Sequence, residues 1–317
     1  MKVSVVICTK NRVEELLGCI RSVIAQSLSP DEIIVVDASD TEEAYLKIKR
    51  NNQYPRLKYI RSERPSYLSI DRNVGIRNSS GDVILFLDDD TVLDRDFIKE
   101  IARVFEEDKE KRIGGAMGNI VNINRPATTL RRLYTNLHLV VSHVFLLPIV
   151  GNGRFRASGA PTFVFGSTEM RDVEFLSGCC MAYRREVFRD LKFDDDFPEL
   201  YTDDEDVPYR VSQKYRNVYT PYAKLVHLQS PVGSASARRA RPYARAKKTV
   251  ESRYYLLKKN FPRTVKHTVA FWWSVIGMLV QAMLLRDEQF FKGVISGISG
   301  TKGIGIRLAS CNAYPKR

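Results

Sequence analysis

A chain of 317 residues, 44% hydrophobic and 27% charged, is long enough for one large domain or two ordinary ones and has the make-up of a folded protein. That balance argues against wholesale disorder and against a polytopic membrane protein. Lys and Arg exceed Asp and Glu by 50 to 37, a net charge of +13 that favours anionic partners: phospholipid, nucleotide phosphates or nucleic acid.

Short β-branched runs at Val3–Cys8, Ile33–Val36, Leu57–Ile60 and Val83–Leu87 predict four strands. Helical spacing or turns follow each of them, which predicts an α/β fold with a parallel sheet. In the first intervening stretch Val13, Leu16, Leu17, Ile20 and Ile24 recur at three- and four-residue steps, with Asn11 placed to cap the helix. A further helix is expected to start near Asp94. From residue 113 the regularity weakens, with Gly114, Gly115 and Gly118 close together and an irregular stretch to Arg171 that holds the apolar Leu137–Val150. Insertions of this kind often shape a substrate pocket. Residues 230–236 have the composition of a linker, and residues 238–266 then hold eleven cations against one acid, Glu251. Val269–Leu285 is apolar for 17 residues, with Trp272 and Trp273 near one end, short of the roughly 20 that usually span a bilayer. An in-plane helix, a single span and a packing helix all stay open. The glycine-rich end (Gly293, Gly297, Gly300, Gly303, Gly305) reads as loosely ordered or lipid-associated. The five cysteines are odd in number and show no metal-ligand spacing, so a reducing compartment without a disulfide framework is expected.

The segment with most chemistry is Val83–Asp90, a hydrophobic strand ending in three carboxylates. Residues two apart in extended chain project to the same side, so Asp88 and Asp90 can aim at one point. Mg2+ or Mn2+ suits such a pair, because these ions take one or two carboxylates together with phosphate oxygens. Ligands of open α/β sheets gather beyond the carboxyl ends of the strands. Thr9-Lys10-Asn11-Arg12 and Asp37-Ala38-Ser39-Asp40 follow the first two strands, and Arg72-Asn73 precedes the fourth. Asp37 can accept hydrogen bonds from a base or ribose, and Arg72 can meet a phosphate. There is no GxGxxG and no GxxxxGK[ST], so neither a dinucleotide fold nor a P-loop is indicated.

Together Val3–Asn11, Ile33–Asp40, Arg72–Ile76 with Gly81-Asp82, and Phe86–Thr91 resemble the nucleotide-binding half of family 2 glycosyltransferases of the GT-A fold. Phe175–Phe188 is similar to that family's acceptor-side segment, Thr202–Arg210 to its Glu-Asp motif, and Pro221–His227 to its closing strand. The resemblance implies inverting transfer of a sugar from a nucleotide diphosphate donor to a hydroxyl of a lipid-linked or glycan acceptor. It puts the general base at Asp206 with Glu205 beside it, the nucleotide at Thr9, Asn11, Arg12, Asp37, Arg72, Asn73, Asp88 and Asp89, and the acceptor at Ser177 and Gly178. Mg2+ or Mn2+ would be held by Asp88, Asp90 and His227. Pro208 stands where the family often has an acid, an extra Asp203-Asp204 pair precedes the motif, and Ala38 replaces a frequent acid; Asp204 and Glu205 stay open as alternative bases.

The expected organisation is a nucleotide-sugar half over residues 1–118, an acceptor and catalytic half over 119–235, and a basic, apolar helical region over 236–317 attached to the cytoplasmic face of an anionic membrane. Arg210 is expected to pair with the local acids. Two rival readings weigh less. A nucleotidyltransferase would carry a glycine-rich loop after the first strand, where Cys8–Arg12 has no glycine. A non-catalytic membrane-recruited protein would have no use for carboxylates at 88, 90 and 206. Nucleic acid is not expected, because the basic block lacks a zinc motif or an aromatic-glycine RNA signature.

Overall fold

A computed structural model describes residues 1–51, 56–62, 67–122, 139–196, 200, 203–229 and 241–312. The linker-like residues 230–236 and the first two cations of the basic block, Arg238 and Arg239, lie outside the described residues, as do Leu137 and His138 of the apolar segment.

The described residues divide into two compact units, and the first comprises residues 1–125, 164–199 and 203–233. Its four predicted strands are β1 (Val3–Thr9), β2 (Glu32–Asp37), β3 (Leu57–Arg61) and β4 (Val83–Asp88), and neighbours among them pair in parallel in the order β3-β2-β1-β4. β1 and β4 are buried almost throughout, which is why they read as unbroken apolar runs rather than as an alternation. Helix α1 (Val13–Ile24) buries Leu16, Leu17 and Ile20 of the predicted stripe together with Cys19 and Val23, while Val13 is half-buried and Ile24 exposed. Asn11 does not cap it. Asn11 takes a left-handed backbone, φ 56°, a conformation Asn tolerates, and its amide exchanges hydrogen bonds with Asp40 (2.8 Å each way). Helices α2 (Glu43–Asn51) and α3 (Leu68–Asn78) follow in the crossovers.

Beyond β4 the chain departs from the expected pattern. A short strand β5 (Thr91–Leu93) comes before helix α4 (Phe97–Glu107), so the helix starts three residues later than expected. The glycines at 114, 115 and 118 lie within an eight-residue strand, β6 (Ile113–Ile120), which runs through the expected half-boundary at residue 118. Each is a point of crowding: a Cβ at Gly114 would sit 2.8 Å from Val211, and one at Gly118 would press on Phe97 and the Ala223 carbonyl. Glycine here admits neighbours against the strand backbone, so it reads as irregularity in a sequence and as packing in the fold. In the same unit β9 (Arg171–Val173), β10 (Cys180–Arg184), helix α5 (Asp203–Ser212) and β11 (Arg216–His227) complete a sheet ordered β3-β2-β1-β4-β10-β6-β11-β5, with β9 on β11. A 3-10 turn, Arg185–Arg189, follows β10.

The second unit comprises residues 126–163, 200–202 and 234–317. It holds the two-stranded pair β7 (Ile149–Val150) and β8 (Thr162–Phe163), and helices α6 (Pro242–Asn260), α7 (Val265–Leu284) and α8 (Glu288–Asn312). The glycine-rich end is thus a continuous helix rather than a loose segment. Gly293, Gly297 and Gly300 fall on one face of α8 and lie against α6: a Cβ at Gly297 would come within 2.8 Å of the Lys247 carbonyl oxygen and of Val250. Absence of a side chain lets the two backbones approach, and close packing offsets glycine's poor helix propensity. α7 is capped by Thr264, whose side chain accepts from the His267 backbone N–H. It buries Ala270, Phe271, Ser274, Val275, Gly277, Met278 and Ala282, while Val265, Val269, Trp272, Trp273, Ile276 and Met283 are exposed along another face. Trp273 stacks on Phe145 at 4.8 Å and donates its indole N–H to the Val144 carbonyl at 2.8 Å.

Candidate active site

Strand direction decides where the polar residues meet. β1, β2 and β4 are parallel, so Thr9, Asp37 and Asp88 come out at one edge of the sheet. β10 is antiparallel to β4, with Cys180 opposite Leu87, and Ser177, Gly178 and Cys179 lie at that same edge just before it. Since β10 is also antiparallel to β6, and β6 parallel to β11, the last residue of β11, His227, arrives there too.

The turn after β4 carries the carboxylates. Asp88 keeps a third of its side chain open (34%), whereas Asp90 is buried. His227 Nε2 lies 3.0 Å from Asp90 Oδ1 and 3.8 Å from Asp88 Oδ2, and the three side chains offer ligand atoms within 4.8 Å of one another. Two carboxylates and one imidazole at an open strand end make a donor set that fits a divalent cation with positions left for phosphate oxygens. Burial on its own would lower the His227 pKa. Hydrogen bonds to Asp90 and Cys179 and the charge of Asp88 outweigh it and raise the pKa to about 11, so the cluster strongly attracts positive charge. The backbone of His227 is fixed by Asn122, whose amide donates to its carbonyl (2.7 Å) and accepts from its N–H (3.1 Å). Sequence reading gave no sign of Asn122, because its role depends on contact across 105 residues of chain.

Asp89 turns away from that cluster. It is buried, accepts from the Thr9 hydroxyl at 2.7 Å and pairs with Arg12 at 2.6 Å, and Arg12 also approaches Asp90 at 3.4 Å. Thr9, Arg12 and Asp89 therefore tie β1 to the turn that presents Asp88 and Asp90. Asp37 is fully buried and holds the Ser39 N–H (2.7 Å), Arg61 (3.1 Å) and the Tyr59 hydroxyl. Asn11, outside it, is exposed and bonded to Ser39 and Asp40.

On the other side of Asp88 stands Arg72, which is 2% exposed and lies under the ring of Phe193 at 5.3 Å. Its guanidinium donates to the Gly178 carbonyl at 3.1 Å and lies 3.7 Å from Asp88 and 3.5 Å from Asp204. Asn73 uses both ends of its amide on the Phe193 backbone, at 2.9 and 3.0 Å, so it anchors this segment rather than facing the edge. A Cβ at Gly178 would meet the Asp204 carboxylate and crowd Arg72, so any larger residue there would displace the Asp204 side chain. Ser177 lies beside it, with its hydroxyl 3.3 Å from Cys179 Sγ.

Helix α5 separates its acids by facing. Positions two apart on a helix point roughly 200° away from each other. Asp204 faces Arg72, with 48% of its side chain exposed. Asp206 is 1% exposed and pairs with Arg210 at 2.6 Å, while Arg210 also reaches the Lys192 carbonyl. The pairing expected of Arg210 is therefore present, and it occupies the residue expected to be the base. Glu205 is half-buried between them. A charged run in sequence shows four acids alike, and only the helix phase distinguishes them.

The sequence profile of glycosyl transferase family 2 matches residues 4–192, more than half of the chain. An N-acetylglucosaminyltransferase of Azorhizobium caulinodans is 32% identical over 142 residues, a match covering 42% of this chain and 34% of that protein. The glycosyltransferase GlyA of Streptococcus pneumoniae is 24% identical over 198 residues, covering 61% of this chain and 26% of that protein. The chain thus spans about a third or less of the length of these relatives. Among solved structures, a mannosyltransferase of Pyrobaculum calidifontis in complex with GDP-Man and Mn2+ aligns with TM-score 0.57 at 15% identity, over 95% of this chain and 86% of that one. Residues 1–349 of TarS from S. aureus, in complex with UDP-GlcNAc, align with TM-score 0.57 at 15% identity, over 94% and 81%. Those likenesses show the fold, a mixed α/β body of GT-A type with an open central sheet followed by C-terminal helices. The chain belongs to glycosyl transferase family 2.

Proposed function

We propose that the protein is an inverting glycosyltransferase that moves a sugar from a nucleoside diphosphate to a hydroxyl of a lipid-linked or glycan acceptor, with Mg2+ or Mn2+. The observation that carries this reading is the meeting of Asp88, Asp90 and His227 with Asp204 at one sheet edge, Arg72 standing between Asp88 and Asp204. Inverting transfer needs a base opposite the leaving diphosphate, to take the acceptor proton as the hydroxyl attacks. Asp204 suits that task because it is half-exposed and faces the carboxylate turn; Asp206 is buried and held by Arg210. Asp206 then positions α5. A divalent cation bound by Asp88, Asp90 and His227 would neutralise charge on the leaving diphosphate. Asn11 and the loop after β2 line the nucleotide side, with Asp37 orienting Arg61, Tyr59 and Ser39. Ser177 and Gly178 sit on the acceptor side. The nucleotide sugars bound in the two structural relatives, GDP-Man and UDP-GlcNAc, support a donor of this class.

The second unit supports membrane attachment. α7 is long and apolar enough to cross a bilayer, yet one face is buried within its unit and the other presents Val265, Val269, Trp272 and Ile276. A one-sided apolar stripe with cations nearby suits a helix lying in the plane of an anionic surface better than one crossing it. A screen of UDP-, GDP- and dTDP-sugars, reading Mn2+-dependent transfer or hydrolysis, tests the catalytic reading. No turnover of any donor, with donors failing to stabilise the protein against heat, would remove it.

A further inference from the structure

On the side facing β6, the end of β11 that carries His227 is completed by a side chain, that of Asn122. β6 and β11 pair in parallel as far as Ile120 and Leu225, and a further backbone bond runs from the Val121 N–H to the Leu225 carbonyl at 2.9 Å. A regular parallel ladder would continue with the His227 N–H donating to the Val121 carbonyl. The chain turns at Val121 instead, and the His227 N–H donates to Asn122 Oδ1 at 3.1 Å. The Asn122 amide donates back to the His227 carbonyl at 2.7 Å, in the place of the next backbone N–H of a continued strand. One side chain thus supplies both halves of a missing ladder step.

The other side of β11 offers those two groups no alternative. His227 stands opposite Thr91 of β5, and the bonds between these strands run from the Leu228 N–H to the Asp90 carbonyl and from the Asp94 N–H to the Lys224 carbonyl, each at 2.9 Å. Antiparallel strands bond at alternate residues, so Lys224 and Leu228 face β5, while Leu225 and His227 turn their backbone groups the other way. The backbone of Asp90 is therefore tied to Leu228, and that of His227 to Asn122. Between them the His227 imidazole reaches Asp90 at 3.0 Å and Asp88 at 3.8 Å.

We infer that Asn122 is a positioning residue for cation binding: its amide, bonded at both ends, holds the His227 backbone so that the imidazole can share an ion with Asp88 and Asp90. This rests on the reading of that cluster as a divalent-cation site. Two bonds to one residue fix orientation as well as distance, and groups that orient a ligand from behind are worth about 10- to 100-fold in metal affinity. Linkage makes the effect reciprocal, so a bound cation stabilises the Asn122–His227 bonds by the same factor by which those bonds tighten the cation.

The test is titration of the metal-free full chain with Mn2+ alone, the free ion being read by electron paramagnetic resonance. Asn122→Leu, close to asparagine in volume, should weaken Mn2+ binding by about tenfold. Ile48→Ala, a cavity on the buried side of α2, should lower the melting temperature and leave Mn2+ affinity unchanged, which separates positioning from a general loss of stability. In the unaltered chain, hydrogen exchange followed by mass spectrometry on the peptide carrying His227 should slow by about tenfold at saturating Mn2+. Unchanged Mn2+ affinity in Asn122→Leu, or an equal loss in Ile48→Ala, would overturn the inference and leave the cation site standing. If Asn122→Leu does not fold, the exchange measurement decides, and a His227 amide that Mn2+ fails to protect overturns it. Failure of the unaltered chain to bind Mn2+ would remove the cation reading of the cluster and this inference together.

Discussion

At the scale of single residues, the proton on His227 and a divalent cation compete for the same carboxylates. Ligands must be deprotonated to bind a metal, so below its pKa of about 11 each displaced His227 proton weakens apparent affinity as pH falls. The Mn2+ concentration for half-saturation should therefore rise roughly tenfold per pH unit lowered between pH 9 and 6, and the dependence should flatten in His227→Gln. Without metal the same shift has a stability sign. The folded pKa lies above the free value near 6.5, so the contribution is complete below about pH 6.5 and is lost as pH rises towards 11. Melting temperature of metal-free protein should fall across that window, and less so in His227→Gln. Asp90→Asn should abolish metal-dependent donor binding. Asp204→Asn should lower turnover by about a hundredfold or more with donor affinity nearly unchanged, as loss of a general base requires. Asp206→Asn instead leaves Arg210 without its buried carboxylate and should cost stability, by about 3 kcal/mol, read as a lowered denaturation midpoint. A variant Asp204→Asn with full turnover would return the base to its neighbours.

Secondary-structure elements explain why some of this was readable and some was not. The four parallel strands and the stripe of α1 came from local periodicity, and the acidic end of β4 gave Asp88 and Asp90 away because charges follow a buried strand only where it meets water or an ion. Asp204 was not separable from Asp206, since that needs the phase of α5 against Arg72, a partner 132 residues away. Glycine misled twice, in β6 and in α8, because the same residue marks a loop when flexible and a close contact when packed. That second use gives a sharp prediction: Gly297→Leu in α8 should destabilise the second unit, overpacking costing about 1–3 kcal/mol, while Gly303→Leu, with nothing within 4 Å of its Cβ, should not. Thermal unfolding of the two variants side by side decides it.

For the molecule as a whole, charge and apolar surface are concentrated in the second unit. Attachment to vesicles should increase with anionic lipid content and weaken in salt, because each cation near the surface contributes up to about 1 kcal/mol, screened. Apolar burial of the α7 stripe should leave a salt-resistant fraction that Ile276→Glu removes, which co-sedimentation measures. The second unit is also discontinuous: residues 126–163 belong to it although the rest of the first unit, residues 164–199 and 203–233, is made before α6. During synthesis Phe145 and Leu147 emerge about a hundred residues ahead of the helices that cover them, which favours a slow, long-range closure step. Deleting residues 236–317 would strip those partners from a segment left in mid-chain, so the shortened protein should aggregate rather than yield a free catalytic body. Removing residues 139–163 as well, with a short bridging loop, should restore solubility.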